Sequence, residues 1–118
     1  MSETLSETAG KVVWFELPAT DTGRARSFYG SLFGWQFQQF EGGPEYHLTY
    51  EGGGAIQPAD GQSGPRVYFG SGDIDASIAR VRELGGQATD KHEIPGVGFS
   101  SHCTDTEGNS FGLYQGAS

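Results

Sequence analysis

The chain has 118 residues, of which 35% are hydrophobic and 19% charged, and this length and composition predict one soluble globular domain. Its net charge of −8 argues against partners that need a basic protein surface, namely nucleic acids and anionic membranes. The single cysteine excludes an internal disulfide, and no apolar run approaches the roughly 18 residues of a membrane-spanning helix. Residues 1–10 lack the cationic start and apolar run of a signal peptide. We therefore predict a flexible N-terminal tail at residues 1–10 and a cytoplasmic location.

The first half of the chain is predicted to contain one strand, one helix and three further strands. In the first strand Val13, Phe15 and Leu17 alternate with Trp14 and Glu16, the pattern of a strand with two different faces. The helix is predicted from an aspartate N-cap, apolar residues at helical spacing and a glycine C-cap. These elements and the three short strands after them occupy Asp21, residues 25–33, Gly34, and residues 35–40, 45–50 and 55–58.

The same order of elements begins again after a turn-rich connector at residues 60–65. A strand at residues 65–71 precedes a helix that Asp73 or Asp75 can cap and that a pair of glycines ends. Three more strands follow, and a hairpin turn joins the last two. The strands are predicted at residues 87–94, 98–104 and 110–115.

The repeated order predicts an internal duplication. A shift of 52 residues places Asp21 on Asp73, and the order strand, helix, strand, strand, strand occurs twice. We predict an α+β fold in which two βαβββ units, at about residues 11–58 and 65–115, stand in tandem and form a curved mixed sheet around a cleft.

Four side chains are candidates for the lining of that cleft. The strand faces that do not suit the helices carry Trp14 and Glu16 in the first unit, and Arg66 and Tyr68 in the second. An indole, a carboxylate, a guanidinium and a phenol are typical of a small-molecule site. The alternative interpretation is that the two aromatic side chains are buried in a dimer interface.

Several motifs, taken in order, make the chain resemble the vicinal oxygen chelate superfamily, which has the glyoxalase/bleomycin resistance protein/dioxygenase fold. They are FY followed by LFGW, LGG at the end of the second helix, and DTEGNSFGLY at the closing hairpin, at residues 28–35, 84–86 and 105–114. The resemblance covers residues 11–115 and is closest to the actinobacterial glyoxalase-like branch. It implies that residues 11–118 form a single domain of this type.

The resemblance also implies where a divalent metal would be held. Enzymes of the superfamily take their metal ligands from the first and fourth strands of each unit, which here correspond to Trp14, Ala55, Arg66 and Gly112. Tryptophan and arginine have only N–H donors, and alanine and glycine have no side-chain ligand atom. We therefore predict a metal-free site and no cofactor, with a divalent metal as the alternative. A slip of one or two residues in this alignment would offer Gln57 or Glu16 instead.

Two histidines and the cysteine have competing interpretations. His47 alternates with its neighbours on a strand, so it binds a ligand group or acts as a general base if its face is the cleft. Otherwise it is a structural histidine. His102 and Cys103 are adjacent on a strand and point to opposite faces, which argues against direct pairing. We predict a structural role for Cys103.

Together these observations predict a metal-free protein that binds a small organic ligand, as the drug-sequestering members of the superfamily do. The predicted ligand-binding residues are Trp14, Glu16, His47, Arg66, Tyr68 and Tyr114. One alternative is a metal-dependent glyoxalase-type lyase or isomerase, or a dioxygenase; another is a protein-interaction module. The resemblance further predicts a homodimer.

Overall fold

The computed structural model describes residues 8–62 and 64–117. The chain divides into a first compact unit, residues 14–66, and a second, residues 67–117 with residues 8–13. Most of the predicted N-terminal tail lies outside the described residues. In the part that is described, Ala9 forms a parallel bridge with Gly70, and Gly70 also donates a backbone hydrogen bond to Lys11. No helix in the described ranges is long and apolar enough to cross a membrane.

The first unit contains one helix and a mixed four-stranded sheet in the order β2-β3-β4-β1. Strand β1 runs parallel to β4, whereas β3 is antiparallel to both of its neighbours. All four predicted strands are present. Those predicted at residues 35–40 and 45–50 are shorter at both ends, and the one predicted at residues 55–58 begins one residue earlier. The first strand begins two residues before the unit does. The elements are β1 (Val12–Ala19), α1 (Thr22–Phe33), β2 (Gln38–Gln39), β3 (His47–Thr49) and β4 (Gly54–Pro58).

Helix α1 has the caps that the sequence predicts. The Asp21 side chain accepts a hydrogen bond from the backbone N–H of Arg24 at 2.9 Å, and Gly34 takes up a left-handed conformation with φ 77°, which glycine adopts without steric cost. The helix packs on the sheet through aromatic rings. The ring of Trp35 stacks on Tyr29 at 5.4 Å and lies 5.9 Å from Phe15. The face of β1 that carries Phe15 is therefore the helix side, as predicted.

The second unit contains a helix and a mixed sheet in the order β5-β9-β8-β6, with β7 also paired to β8. Strand β9 is parallel to β5 and antiparallel to β8. Its helix is capped by Asp73, which accepts a hydrogen bond from the backbone of Ala76 at 3.1 Å. The elements are β5 (Arg66–Gly70), α2 (Ile74–Glu83), β6 (Gln87–Ala88), β7 (His92–Ile94), β8 (Gly98–Thr104) and β9 (Ser110–Gly116).

The strand predicted at residues 87–94 is divided into β6 and β7. Both pieces pair with β8, but between them the hydroxyl of Thr89 accepts a hydrogen bond from the backbone N–H of His102 at 3.0 Å. Ala88 pairs with Cys103 and His92 pairs with Ser100, so three residues on one strand face two on the other. The extra residue interrupts the regular ladder, as in a β-bulge.

The core of the second unit lies between α2 and the sheet. It consists of Ile74, Ile78, Cys103 and Leu113, each at most 7% exposed. The structural role predicted for Cys103 is confirmed, because its thiol is buried here while His102 lies on the opposite face of β8.

The two units repeat the same strand register. Glu16 of β1 is paired with Ala55 of β4, and Tyr68, 52 positions after Glu16, is paired with Gly112 of β9. In each unit a large side chain on the leading strand therefore stands beside a very small residue on the parallel strand. The predicted α+β class and the doubled βαβββ order are confirmed, with β6 and β7 counted as one interrupted strand.

Candidate functional site

A buried carboxylate, Glu16 of β1, is the centre of a hydrogen-bonded group in the first unit. Glu16 is 7% exposed. Its Oε2 accepts a hydrogen bond from the Tyr46 hydroxyl at 2.8 Å, and its Oε1 accepts one from Nη1 of Arg66 at 3.1 Å. Nε2 of Gln57 lies 3.5 Å from the same Oε1, and Nε1 of Trp14 donates to the Tyr46 oxygen at 2.8 Å. We call these five residues the Glu16 network.

The ion pair in the Glu16 network is protected from solvent. The side chain of Arg66 is 18% exposed and that of Glu16 is 9% exposed. Removing two charges from water costs several kcal/mol per ion, which is offset only when the pair has good geometry and further hydrogen bonds. Tyr46 and Gln57 supply such contacts to the carboxylate. On the guanidinium, Nε is buried and has no hydrogen-bond partner among the described residues.

The turn-rich connector after β4 reinforces this group through Gln62. Its amide oxygen accepts a hydrogen bond from Gln57 at 2.7 Å. Its amide nitrogen donates to the backbone oxygens of Gly64, at 2.7 Å, and of Glu16, at 3.3 Å. The same Nε2 of Gln57 therefore contacts both the Glu16 carboxylate and the Gln62 amide oxygen.

An open cavity of about 460 Å³ lies on the same face of the first unit's sheet. The face is shared because Glu16 pairs with Ala55, Ala55 with Leu48 and Leu48 with Gln38, and directly paired residues point to the same side of a sheet. The ring of Tyr50 in the cavity lies 6.4 Å from that of Trp14. The lining residues are Gln36, Phe37, Gln38, Leu48, Tyr50 and Glu51.

His47 lies on the other face of this sheet. It pairs with Ile56, which in turn pairs with Leu17, so it shares the helix side. Its Nε2 lies 2.8 Å from Glu45 Oε2. Hydrogen bonds from Thr22 and then from His47 lower the pKa of Glu45. The structure therefore brings Trp14, Glu16 and Arg66 together. His47 is separated from them by the sheet.

In the second unit the corresponding strand face carries a phenol–imidazole pair. The hydroxyl of Tyr68 and Nε2 of His102 are 3.0 Å apart. Gly112 pairs with both residues, and a Cβ on it would lie 2.3 Å from the Tyr68 ring. The ring therefore lies directly over the glycine backbone, and only glycine permits the contact.

Tyr114, two residues after Gly112 on β9, lies on the same face as Tyr68. Its hydroxyl donates a hydrogen bond to the backbone oxygen of Val97 at 2.9 Å, and burial raises the pKa of the phenol. That hydrogen bond holds the phenol against the hairpin that precedes β8.

The sequence did not predict that Tyr46 and Gln62 take part in these contacts. It also did not predict the pairing of His102 with Tyr68. Tyr46 alternates with His47, and that alternation was a usable signal, because it places the tyrosine on the opposite face from the histidine. Gln62 lies in the connector, where no periodicity indicates which way a side chain points.

Solved structures with this fold include enzymes. The chain matches methylmalonyl-CoA epimerase from Mycobacterium tuberculosis with a TM-score of 0.68 and 16% identity, over 100% of this chain and 94% of that one. A variant of the Streptomyces coelicolor epimerase in complex with 2-nitronate-propionyl-CoA matches with a TM-score of 0.69 and 16% identity, over 93% and 99%. A Sphingomonas wittichii 2,2',3-trihydroxybiphenyl 1,2-dioxygenase has a TM-score of 0.58 and 15% identity, over 94% and 41%. At these identities the likeness concerns the fold.

Relatives in sequence define the family. The profile of the Bleomycin resistance protein-like N-terminal family matches residues 11–46. A glyoxylase-like domain-containing protein of Didymella fabae is 34% identical over 88% of this chain and 92% of its own length. CFP32 of Mycobacterium bovis, described as a candidate glyoxylase, is 31% identical over 86% of this chain but only 44% of its own length. The chain belongs to the vicinal oxygen chelate superfamily, as a glyoxalase-like and bleomycin-resistance-like member.

Proposed function

We propose that this protein binds a small organic molecule, without a metal ion, on the face of the first unit that carries the Glu16 network. The observation that carries the proposal is the cavity of about 460 Å³ on that face, beside a cluster of buried polar groups with fixed positions. Apolar and aromatic walls with a few oriented polar groups are the usual composition of a ligand site. The fold also accommodates a small ligand in the epimerase complex named above.

The residues at the superfamily's metal positions do not fit a divalent cation. Arg66 places a guanidinium 3.1 Å from the Glu16 carboxylate, and a permanent cation there repels a metal. Trp14 has only an N–H donor, which is already directed at Tyr46. Gly112 and Ala55 provide no ligand atom, and the backbone of Gly112 is covered by the Tyr68 ring. We therefore derive no metal-dependent step for this chain.

Individual roles follow from these positions. Trp14 and Tyr50 offer ring surface to the ligand, while Glu16 and Arg66 keep the polar edge of the site rigid. Tyr68 and Tyr114 lie on the corresponding face of the second unit, and we propose that they contact a ligand within that unit. His47 receives no ligand-binding role, because it lies on the helix side.

Two measurements on untagged protein test this proposal. A thermal-shift screen of small organic compounds is expected to find at least one stabilising class, since binding only to the native state raises its stability. Elemental analysis by mass spectrometry after incubation with Zn, Ni, Mn or Fe is expected to find less than about a tenth of an equivalent. An empty screen would refute ligand binding, and about one equivalent of metal would refute the metal-free site.

A metal-dependent glyoxalase-type enzyme or dioxygenase is the second candidate. The observation in its favour is that two sequence relatives are described as glyoxylase-like or as a candidate glyoxylase. The elemental analysis decides between the candidates, because stoichiometric metal would require ligands other than those aligned above.

We further propose a homodimer, on the basis of the exposed side of α1. Phe28, Leu32 and Phe33 are 61%, 57% and 58% exposed, and apolar patches of this kind mark interaction surfaces. A second copy of the chain is the partner that the family resemblance favours. Sedimentation at micromolar concentration is expected to give twice the 12.6 kDa of one chain. Leu32→Glu is expected to give monomers, whereas Val97→Glu, at a half-exposed site in the other unit, should not.

A further inference from the structure

The walls of the cavity on the first unit combine two aromatic rings, two amides and one carboxylate. Phe37 and Tyr50 provide the rings, Gln36 and Gln38 the amides and Glu51 the carboxylate. Tyr50 is 68% exposed, so most of its ring surface is available for contact. None of these lining residues carries a positive charge.

The carboxylate in this wall differs from that of Glu16. Glu16 is already paired with Arg66, whereas within the described residues no basic side chain forms an ion pair with Glu51. Its one hydrogen bond from a side chain comes from the neutral hydroxyl of Thr49, at 3.3 Å. The negative charge of Glu51 is therefore not compensated locally.

We propose that this cavity selects a planar aromatic molecule that carries a positive charge, which rests on the proposed ligand-binding function and specifies its ligand class. An aromatic cation stacks on Tyr50 or Phe37, and its charge interacts favourably with the ring face and with Glu51. The amides of Gln36 and Gln38 accept hydrogen bonds from ring N–H or amino groups. The net charge of −8 further raises the local concentration of cations.

The same walls disfavour the ligand class found in the structural neighbours. A coenzyme A ester carries several phosphate charges, and arginine, lysine and helix N-termini are the groups that most often bind phosphate in proteins. The cavity offers none of these among its lining residues, and it presents a carboxylate in their place. This chain therefore shares a fold with the epimerases, but the lining of its own cavity favours cations over phosphate groups.

Three probes with the same ring system test the charge preference. Proflavine is cationic at pH 8, acridine is neutral and acridine-9-carboxylate is anionic, so the tricyclic ring is constant while the charge and the ring substituents change. Titration followed by calorimetry and by tryptophan fluorescence is expected to show proflavine binding about tenfold more tightly than acridine, with the carboxylate weakest. Trp14 reports directly because its ring lies 6.4 Å from Tyr50.

Matched variants test which residues cause the preference for the cationic probe. Glu51→Gln is expected to weaken proflavine about three- to tenfold and to leave acridine within about twofold. Glu93→Gln makes the same change in net charge on β7 of the second unit and is expected to leave all affinities within about twofold. Tyr50→Ala is expected to weaken proflavine and acridine alike, because it removes the stacking surface.

The outcomes separate this inference from the function on which it rests. Equal or tighter binding of the anionic probe, or an unchanged preference in Glu51→Gln, would overturn the cation preference while Tyr50-dependent binding still supported a ligand site. Failure of all three probes would also overturn it. Ligand binding itself would then be judged by the thermal-shift screen, which does not depend on probe charge.

Discussion

Tyr46 and Glu16 are 30 positions apart in the chain, and the tyrosine hydroxyl donates a 2.8 Å hydrogen bond to the carboxylate. The same hydroxyl accepts a hydrogen bond from Trp14, so one oxygen joins an indole to a buried acid. The hydrogen bond from Tyr46 to Glu16 therefore links the loop before β3 to strand β1. The tyrosine hydroxyl also gives the Trp14 indole N–H a hydrogen-bond partner at the edge of the proposed site.

Removal of that oxygen is the first test of the Glu16 network. Tyr46→Phe should lower the free energy of unfolding by about 1–3 kcal/mol, because a partly buried indole N–H and a carboxylate oxygen each lose a partner. Urea unfolding followed by circular dichroism measures the change. Tyr50→Phe is the control, since its ring is 68% exposed, and it should remain within about 0.5 kcal/mol of the wild type. An equal loss in both variants would contradict the role given to Tyr46.

Because Glu16 and Arg66 form a buried ion pair, substitutions of the two residues should change the free energy of unfolding in a strongly non-additive way. Arg66→Met leaves the Glu16 carboxylate buried without its cation and should cost about 3–5 kcal/mol. The double variant Glu16→Leu with Arg66→Met should be more stable than Arg66→Met alone, because no isolated charge remains. Arg80→Met removes a pair whose side chains are 64% and 66% exposed and should cost at most about 1 kcal/mol. Additive losses in the double variant would show that the two charges do not interact.

The contact between Tyr68 and Gly112 predicts a steric effect. Gly112→Ala would place a methyl group 2.3 Å from the ring, which forces the ring to move and should cost about 1–3 kcal/mol. It should also disturb the His102 imidazole resonances, because Tyr68 and His102 are 3.0 Å apart. Gly64→Ala meets no atom within 4 Å and should be neutral or slightly stabilising. Unchanged His102 resonances in Gly112→Ala would argue against the contact.

The hairpin turn at Asp105 contributes stability that depends on pH. Hydrogen bonds from the backbone and side chain of Asn109, and then from the backbone of Glu107, hold the pKa of Asp105 below its ordinary value. A lowered native pKa means that this contribution is fully present above about pH 4 and is lost as the pH falls through the native pKa. Asn109→Ala should raise the pKa of Asp105, which a carboxyl NMR titration measures. An unchanged pKa would show that the Asn109 side chain is not a determinant.

The buried thiol of Cys103 should react slowly. Burial raises its pKa, and the thiolate is the reactive form, so the native protein should react with a disulfide reagent at least about a hundredfold more slowly than the protein in concentrated guanidinium chloride. Ile78→Ala, which opens the core around the thiol, should accelerate the reaction. Leu84→Ala, at a residue 60% exposed, should not accelerate the reaction. Equal acceleration by both variants would show that the core around Ile78 does not control access of the reagent to the thiol.

Local patterns were sufficient to predict the elements and their faces. Asp21 and Gly34 bound α1 as expected, because capping depends on side-chain and backbone chemistry within a few residues. The alternation of Trp14 and Glu16 with Phe15 correctly separated the two faces of β1, because side chains in a strand have a strict period of two. The interruption between β6 and β7 was missed, since it depends on Thr89 contacting a residue of another strand.

The candidate site was predicted only in part. Trp14, Glu16 and Arg66 were identified from the sequence and are close together, whereas His47 was given a possible ligand role and lies on the helix side. The alternation of His47 with its neighbours shows which residues share its side of the strand. Which side faces the helix depends on how the strands pair. Strands β3 and β4 form a local hairpin, but β4 pairs with β1, which is distant in the chain, and a shift of one residue in that pairing would reverse the faces.

The sequence by itself determined the superfamily, the doubled order of elements and the residue types available at each position, because these follow from local periodicity, caps and motifs. Only the tertiary structure decided that Tyr46, Gln57 and Arg66 converge on Glu16 and that an open cavity lies beside Trp14. The physical reason is that convergence depends on strand register and on the burial of groups distant in the chain. Both are products of the whole fold.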